Sequence, residues 1–377
     1  MLWESQVVHS GVCTDSATGA ISTPIYQTAT FRHPALGQST GFDYSRSHNP
    51  TRQAVEKAIA TLERGTAGFA FASGLAAIST ILMLFRSGDH FVISEDCYGG
   101  TYRVLEKVFK QFGLEATFVD SSRTEALAQA IRPQTRALFV ETPTNPLMKI
   151  VDLRKLVGLA RMNHLLTIVD NTFMTPYLQR PLELGVDIVL HSGSKYLSGH
   201  NDVVCGLAVA RESEIGERIG FLQNATGGIL GPQDSWLLLR GLKTLALRMD
   251  KHCSNAQKVS EWLLSHPKVQ EVYYPGLPDH PGHEIQCCQT AGHGGMISFT
   301  VTDPALVPQV LERVEMLRFA ESLGGVESLI TFPSVQTHAD IPSDIRERIG
   351  INDRLLRLSV GIEHPGDIIE DLAQALE

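Results

Sequence analysis

Between residues 67 and 210 short apolar runs alternate with amphipathic stretches. The runs at 69–72, 91–94, 116–119, 137–141, 167–170, 188–191 and 207–210 are too short for helices, and Gly, Pro or Asp flank most of them. They are predicted as strands. Between most of them an apolar period near 3.6 predicts helices over 100–112, 125–131 and 153–163. Alternation of this kind predicts a mainly parallel sheet covered on both faces, an α/β fold whose ligands gather at the carboxyl ends of the strands. After Gly231-Pro232 a single helix is expected from 234 to about 264, long enough to join two domains. Beyond it, strands at 296–301, 329–332 and 355–360 interleave with helices at 304–315 and 367–376, which makes a smaller α+β unit. The first 45 residues have little periodicity and are read as a tail or as an arm packed on something else. The chain is therefore divided into an arm (1–46), a large domain (47–240) and a C-terminal α+β domain (241–377).

Its 377 residues agree with that division, since one compact core seldom serves so long a chain. A hydrophobic share of 43% against 19% charged excludes compositional disorder. The net charge of -9, with no clustered Lys and Arg, argues against nucleic acid as a partner. The uncharged stretch 65–85 has the length of a membrane span, but Ser73, Gly74, Ser79 and Thr80 interrupt it, and a buried strand plus helix accounts for it. No membrane association is expected. The N-terminus lacks the basic and apolar segments of a secretory signal. The cysteines at 13, 97, 205, 253, 287 and 288 form no C-x-x-C pair, so reduced thiols and a cytoplasmic location are expected. Adjacent Cys287 and Cys288 are poorly placed to pair with each other. His280, His283 and His293 lie among Pro and Gly with no matched ligand pair, and no metal centre is expected.

The chemistry concentrates in three segments. In His191-Ser-Gly-Ser-Lys195 a lysine follows an apolar strand inside a cluster of small hydroxyl residues. At a strand's carboxyl end such a lysine is partly desolvated, which favours the neutral amine that attacks a carbonyl. Ser192 and Ser194 offer hydrogen bonds to a phosphate. Taken alone, Ser-x-Ser-Lys is also a common surface-loop string. Asp170 ends the preceding strand-like run, where a buried acid needs a cationic partner; a protonated pyridine nitrogen is one, and a helix cap or loop anchor is the plainer alternative. Ala72-Ser-Gly-Leu-Ala-Ala77 reads as strand, tight turn and helix, with the N–H groups of Gly74 and Leu75 as an anion seat beside Ser73. Neither G-x-G-x-x-G after a strand nor G-x-x-x-x-G-K-[ST] occurs, so dinucleotide and nucleoside triphosphate folds lose support.

These pieces come in order with Asp43-Tyr-Ser-Arg-Ser-His-Asn-Pro-Thr-Arg52, Asp96-Cys-Tyr-Gly-Gly-Thr-Tyr-Arg103, Glu141-Thr-Pro-Thr-Asn-Pro146 and Glu321-Ser-Leu-Gly-Gly-Val-Glu-Ser328. From Thr23 to Ser359 the chain thereby resembles the Cys/Met-metabolism family of pyridoxal phosphate enzymes, which includes cystathionine γ-synthase, cystathionine γ- and β-lyases and methionine γ-lyase. The resemblance implies the fold-type I architecture of pyridoxal phosphate-dependent transferases and pyridoxal 5'-phosphate as cofactor. It implies Lys195 as the cofactor-bearing lysine, Asp170 as partner of the ring nitrogen and Tyr98 as the stacking ring and a catalytic group. It implies Ser73, Gly74, Leu75, Ser192 and Ser194 around the phosphate, with Tyr44 and Arg46 reaching a neighbouring subunit's phosphate in a homotetramer of two active dimers. For a small sulfur amino-acid substrate it implies Asn145 on the ring hydroxyl side, Arg357 and Ser328 at the α-carboxylate, and Arg103 and Glu327 at the distal end. Three positions depart from the family pattern: Ser-Gly-Ser precedes Lys195 where Ser-Ala-Thr is frequent, His48 stands where Gly is common, and Gly100 is not the Cys of methionine γ-lyase. Segments 220–224 and 231–236 look most like bacterial lyases that cleave cystathionine. The expected activity is therefore carbon–sulfur cleavage by γ- or β-elimination, with γ-replacement by a cystathionine γ-synthase as the alternative and a non-catalytic cofactor-binding protein behind both.

Overall fold

The computed structural model describes residues 1–11 and 15–377, so Cys13 lies outside the described residues. Seven strands build the larger sheet: β1 (Ala67–Phe71), β2 (His90–Ser94), β3 (Glu115–Val119), β4 (Thr135–Glu141), β5 (Leu166–Asp170), β6 (Ile188–Ser192) and β7 (Gly206–Ala210). Each apolar run predicted between 67 and 210 is one of them. Their order across the sheet is β1-β7-β6-β5-β4-β2-β3, parallel except for β7, which runs against both of its neighbours. Apolar side chains on the two faces pack into separate cores. One contains Val92, Leu138, Val140 and Val169, and the other Phe91, Ile93, Phe139 and Ile168. Alternation along single strands thus feeds both faces, as a doubly covered parallel sheet requires.

The register brings Glu141 beside Asp170 and Asp170 beside Leu190, so the ends of β4, β5 and β6 lie together. Side-chain caps fix the helices at this edge. Ser73 accepts the Ala76 N–H at 3.0 Å to start Gly74–Leu82, and Asp152 accepts the Lys155 N–H at 3.0 Å to start Leu153–Met162. The segment expected as one helix over 100–112 is three short turns: α-helical Gly99–Arg103, a π turn at Val104–Val108 and a 3-10 turn at Phe109–Phe112.

The long helix expected after Pro232 is two helices, Pro232–Leu242 and Leu245–Ser265. The break has a packing cause. A Cβ at Gly241 would lie 2.2 Å from the Ser198 carbonyl oxygen, so this turn is pressed against the loop that follows Lys195. Buried Arg248 holds it there, donating to Gly241 O at 2.8 Å, Thr244 Oγ1 at 3.0 Å and Tyr196 O at 2.5 Å. Beyond it stands a five-stranded sheet of β8 (Val269–Tyr273), β9 (Met296–Val301), β10 (Arg318–Phe319), β11 (Leu329–Thr331) and β12 (Leu355–Ser359), in the order β10-β11-β12-β9-β8. Its core of Ile297, Phe299, Leu356, Leu358 and Leu372 is separate from the other two.

The N-terminal segment begins with a short helix, Trp3–His9, and is largely irregular afterwards. Arg52 ties it down: its buried guanidinium donates to the carbonyls of Ser45, Arg46 and Ser47 at 2.6–3.1 Å and pairs with Glu56. Among the described residues no helix is long and apolar enough to cross a membrane. The uncharged stretch 65–85 is β1 followed by Gly74–Leu82.

Candidate active site

At the carboxyl edge of the large sheet a cavity of about 1070 Å³ opens between the two sheets. Ser73, Gly74, Leu75, Tyr98, Arg103, Asn145, Asp170, Ser192, Ser194, Lys195, Glu327 and Arg357 all line it. Ser328, expected with them, does not, and neither do Tyr44 and Arg46, whose expected place is a neighbouring subunit's phosphate. Tyr44 and Arg46 lie outside on the exposed arm, where Arg46 donates to Asn224 at 3.3 Å and its guanidinium stacks over the Tyr44 ring at 5.5 Å. Ser328 is fully buried and turned away: its Oγ donates to Glu363 at 2.9 Å and accepts the Gly361 N–H at 2.8 Å. Its neighbours Glu327 and Leu329 both line the cavity, and in extended chain the residue between them points to the opposite side. Ser328 therefore cannot receive a carboxylate in this cavity, which corrects the expectation.

Lys195 sits three residues beyond β6, with its Nζ donating to Ser322 Oγ at 2.7 Å. Burial, then the nearby Arg357 charge, lowers its pKa to about 8. Gly193 explains the departure from Ser-Ala-Thr, because a Cβ there would lie 2.6 Å from the Sγ of buried Cys205. Ser194 Oγ donates to Cys205 O at 3.2 Å and accepts the Cys205 N–H at 2.9 Å, locking the loop to the start of β7.

Asp170 Oδ1 accepts the Thr172 N–H at 3.0 Å and the Thr172 hydroxyl at 2.5 Å; that same hydroxyl accepts the Ser192 N–H at 2.8 Å. Burial raises the Asp170 pKa against those hydrogen bonds. Among the described residues it has no ion-pair partner. Beside it, buried Glu141 accepts the Tyr98 N–H at 3.0 Å; burial and the Asp170 charge push its pKa well above the carboxylate range. Two acids this close and this buried do not both ionise readily. Opposite, the strand, tight turn and helix predicted around 72–77 are present. Ser73 caps the helix, and the N–H groups of Gly74 and Leu75, in its first turn, have no intrahelical carbonyl to bond. A Cβ on Gly74 would approach Ser192 Cβ to 3.3 Å, a tight contact beside the lysine strand that glycine avoids.

From the smaller sheet β12 supplies Arg357, 1% exposed, whose guanidinium donates to Asn145 Oδ1 at 2.8 Å, Ser322 O at 3.0 Å and Thr331 Oγ1 at 3.3 Å. Its Nε is buried without a partner, no acid pairs with it among the described residues, and burial lowers its pKa to about 10. At the outer end Arg103 pairs with Asp340 at 2.5 Å, and Glu327 accepts the Asn201 Nδ2–H at 2.8 Å. The Tyr98 ring is 38% exposed; a Cβ at position 100 would lie 2.3 Å from its Cε1, so a cysteine there would displace it. Ser322 and Glu141 are the residues that reading the sequence did not single out. Both stood inside quoted motifs, and only the three-dimensional approach of Ser322 to Lys195 and of Glu141 to Asp170 separates them from their neighbours.

A fixed anion seat, a lysine whose amine loses its proton readily and a buried carboxylate without a cation fit a cofactor that carries a phosphate, an aldehyde and a protonated ring nitrogen. Fold and site together define an α/β enzyme that binds such a cofactor at its strand ends and an amino acid beside it. A model of the Cys/Met metabolism PLP-dependent enzymes matches residues 4–377. Cystathionine gamma-lyase of Bacillus subtilis is 54% identical over 371 residues, which cover 98% of each chain. Cystathionine beta-lyase of Lactococcus lactis subsp. cremoris is 52% identical over 374 residues, covering 99% of this chain and 98% of that one. The crystal structure of cystathionine gamma-lyase from Lactobacillus plantarum complexed with L-serine superposes with a TM-score of 0.97 at 51% identity, over 100% of this chain and 98% of that one. The chain belongs to the Cys/Met metabolism PLP-dependent enzymes.

Proposed function

We propose that this enzyme cleaves a carbon–sulfur bond of cystathionine, releasing an oxo acid, ammonia and a thiol amino acid. The observation that carries the reading is a cavity with charged groups at both ends: unpaired Arg357 beside Lys195 and Ser322 at the inner end, and Arg103, Asp340 and Glu327 at the outer one. Cystathionine carries an amino-acid group at each end and spans such a site.

In this reading Lys195 carries pyridoxal phosphate. Gly74 and Leu75 N–H groups, Ser73, Ser192 and Ser194 hold its phosphate, Asp170 its ring nitrogen, Tyr98 a ring face and Asn145 the ring hydroxyl side. The bound cofactor supplies an electron sink for negative charge at the substrate's α-carbon. Arg357 clamps the α-carboxylate through its planar fork, with Ser322 taking the place expected of Ser328. The Lys195 amine, with a pKa near 8, is suited to take the α-proton and to return a proton later. Loss of a β-substituent needs only that first proton. Loss of a γ-substituent needs a second, from the β-carbon, within reach of the same amine. Tyr98 protonates the departing sulfur.

The same reading makes the enzyme a cytoplasmic homotetramer of two active dimers, organised as an arm (1–46), a large domain (47–240) and a C-terminal domain (241–377). Within one chain Tyr44 and Arg46 stay outside the cavity, which suits an arm that completes a neighbour's phosphate site. Mixing Arg46→Ala with Lys195→Ala subunits restores part of the activity if the arms exchange; verified hybrids without activity refute the exchange. The function itself is tested by product analysis after incubation with cystathionine and, separately, with activated homoserine plus cysteine. Oxo acid from the first supports the lyase. Cystathionine from the second, without oxo acid from the first, assigns γ-synthase activity instead.

A further inference from the structure

The short helix His283–Gln289 and the loop leading into β9 bring together His283, Cys287 and His293, whose ligand atoms all lie within 4.8 Å of one another. We propose that these three side chains form a zinc-class metal site, separate from the cofactor cavity. His283 and Cys287 are four residues apart on one helix, hence on one face. The pairing escaped the sequence reading, which compared histidines only with one another and not with the cysteines.

Three features of the cluster fit a borderline-soft divalent ion. The first is spacing. A tetrahedral zinc with bonds of about 2.3 Å to sulfur and about 2.05 Å to nitrogen places those two atoms roughly 3.5 Å apart; His283 Nε2 and Cys287 Sγ are 3.5 Å apart. The second is the ring orientation. His283 Nδ1 lies 2.8 Å from the Pro275 carbonyl oxygen, to which it donates, leaving the Nε2 lone pair toward the thiol. A ligand histidine whose other nitrogen donates to a carbonyl is the usual outer support of a zinc site. The third is an unused nitrogen on the second imidazole. His293 Nδ1 is buried with no hydrogen-bond partner among the described residues, and its ring lies 5.5 Å from that of His283 at 23°.

The ligands are also held in place without a metal. Thr290 Oγ1 and Gln286 Nε2 donate to Gly292 O at 2.7 and 3.3 Å, folding the loop back on the helix, and Tyr274 OH donates to Gly294 O at 3.1 Å. Two imidazoles and one thiolate select zinc over magnesium or calcium, which prefer oxygen. On binding, Cys287 Sγ releases its proton to solvent and bonds the metal, and the exposed side of Cys287 leaves the fourth position to water. The ion would clip the 283–289 helix to the chain entering β9, a structural task remote from catalysis.

The test uses the holoenzyme, freed of metal by a chelator that is then removed. Titration with zinc chloride is expected to give one ion per chain and a rise in Tm, and cobalt(II) is expected to give the visible ligand-field bands of a tetrahedral site with sulfur. Cys287→Ser and His293→Gln should each weaken zinc binding by about 100-fold or more, since losing even an outer partner costs about 10- to 100-fold. Cys288→Ser, one residue along, should leave it unchanged. Unaltered cofactor absorbance and metal-free Tm show that the variants are folded. Binding that survives both ligand substitutions, a stoichiometry far below one, or octahedral cobalt spectra in the wild type would each overturn the proposal, the last without reliance on any variant.

Discussion

Lys195 Nζ donates to Ser322 Oγ across 2.7 Å, while the Ser322 carbonyl accepts from Arg357 at 3.0 Å. One residue of the C-terminal unit thus touches both the lysine at the end of β6 and the buried guanidinium on β12. Ser322 holds this position with φ at +97°, in the region that favours glycine. A side chain kept there at a cost of about 1–3 kcal/mol marks a site where geometry is held against local preference.

Two substitutions separate the hydroxyl from the strain. Ser322→Gly and Ser322→Ala both remove the hydrogen bond to Lys195, and both are expected to lower kcat/KM by about tenfold, the worth of one hydrogen bond to a charged group. Only the glycine relieves the backbone. After its greater loss of freedom on folding is subtracted, Ser322→Gly should be more stable than wild type by about 1 kcal/mol, whereas Ser322→Ala should not. Equal Tm values for the two variants would remove strain from the account.

The lowered pKa of Lys195 has a pH signature. With a value near 8, the neutral, nucleophilic fraction falls about tenfold for each pH unit below it. The rate at which apoenzyme captures pyridoxal phosphate should therefore rise roughly fiftyfold from pH 6 to pH 8 and level off above. Stopped-flow absorbance follows this directly. A rate that keeps climbing tenfold per unit through pH 9 would mean an ordinary lysine.

Much of this site was legible because its parts are local in sequence. Lys195 follows β6, Asp170 ends β5, and Ser73 and Gly74 open a helix after β1, so strand ends and helix starts announce them. What stayed hidden depends on contacts between distant segments. Both Ser322 and Ser328 stand in one motif; strand alternation toward Leu329 turns Ser328 away from the cavity, and only the approach of the chain to Lys195 shows that Ser322 faces it. The single helix expected across 243–244 was broken by the approach of Gly241 to Ser198, 43 residues earlier, which periodicity does not contain. Strand β8 was missed because exposed Gln270 and Glu271 on this sheet edge interrupt its apolar pattern, and β10 because it has two residues.

Gly193 gives a packing prediction. Its Cβ space is taken by Cys205 Sγ, not by backbone, and its own φ does not require glycine. Gly193→Ala should destabilise by about 1–3 kcal/mol through overpacking. Adding Cys205→Ala should recover most of that loss, so that the pair, measured as a double-mutant cycle in urea, shows a favourable coupling. Additive losses would place the cost of Gly193→Ala elsewhere than Cys205.

The bond that breaks depends on which end of cystathionine lies at Lys195. If the homocysteine-derived half is clamped by Arg357, γ-elimination yields cysteine, 2-oxobutanoate and ammonia; if the cysteine-derived half is, β-elimination yields homocysteine, pyruvate and ammonia. At the outer end Arg103 is already matched by Asp340, while Glu327 is held only by neutral Asn201, so Glu327 is the free charge for the distal ammonium. It is exposed, and an exposed ion pair is worth up to about 1 kcal/mol, or about fivefold. Wild type is expected to form both oxo acids, and Glu327→Ala to raise KM by up to about fivefold and shift their ratio by a similar factor, because the two orientations place the distal ammonium at different depths. Chromatography of both oxo acids in the two proteins checks this. An unchanged ratio with unchanged KM would take Glu327 out of the site and leave the choice of bond to the inner clamp, where Arg357, Ser322 and Lys195 meet one amino-acid group in the same way whichever half supplies it.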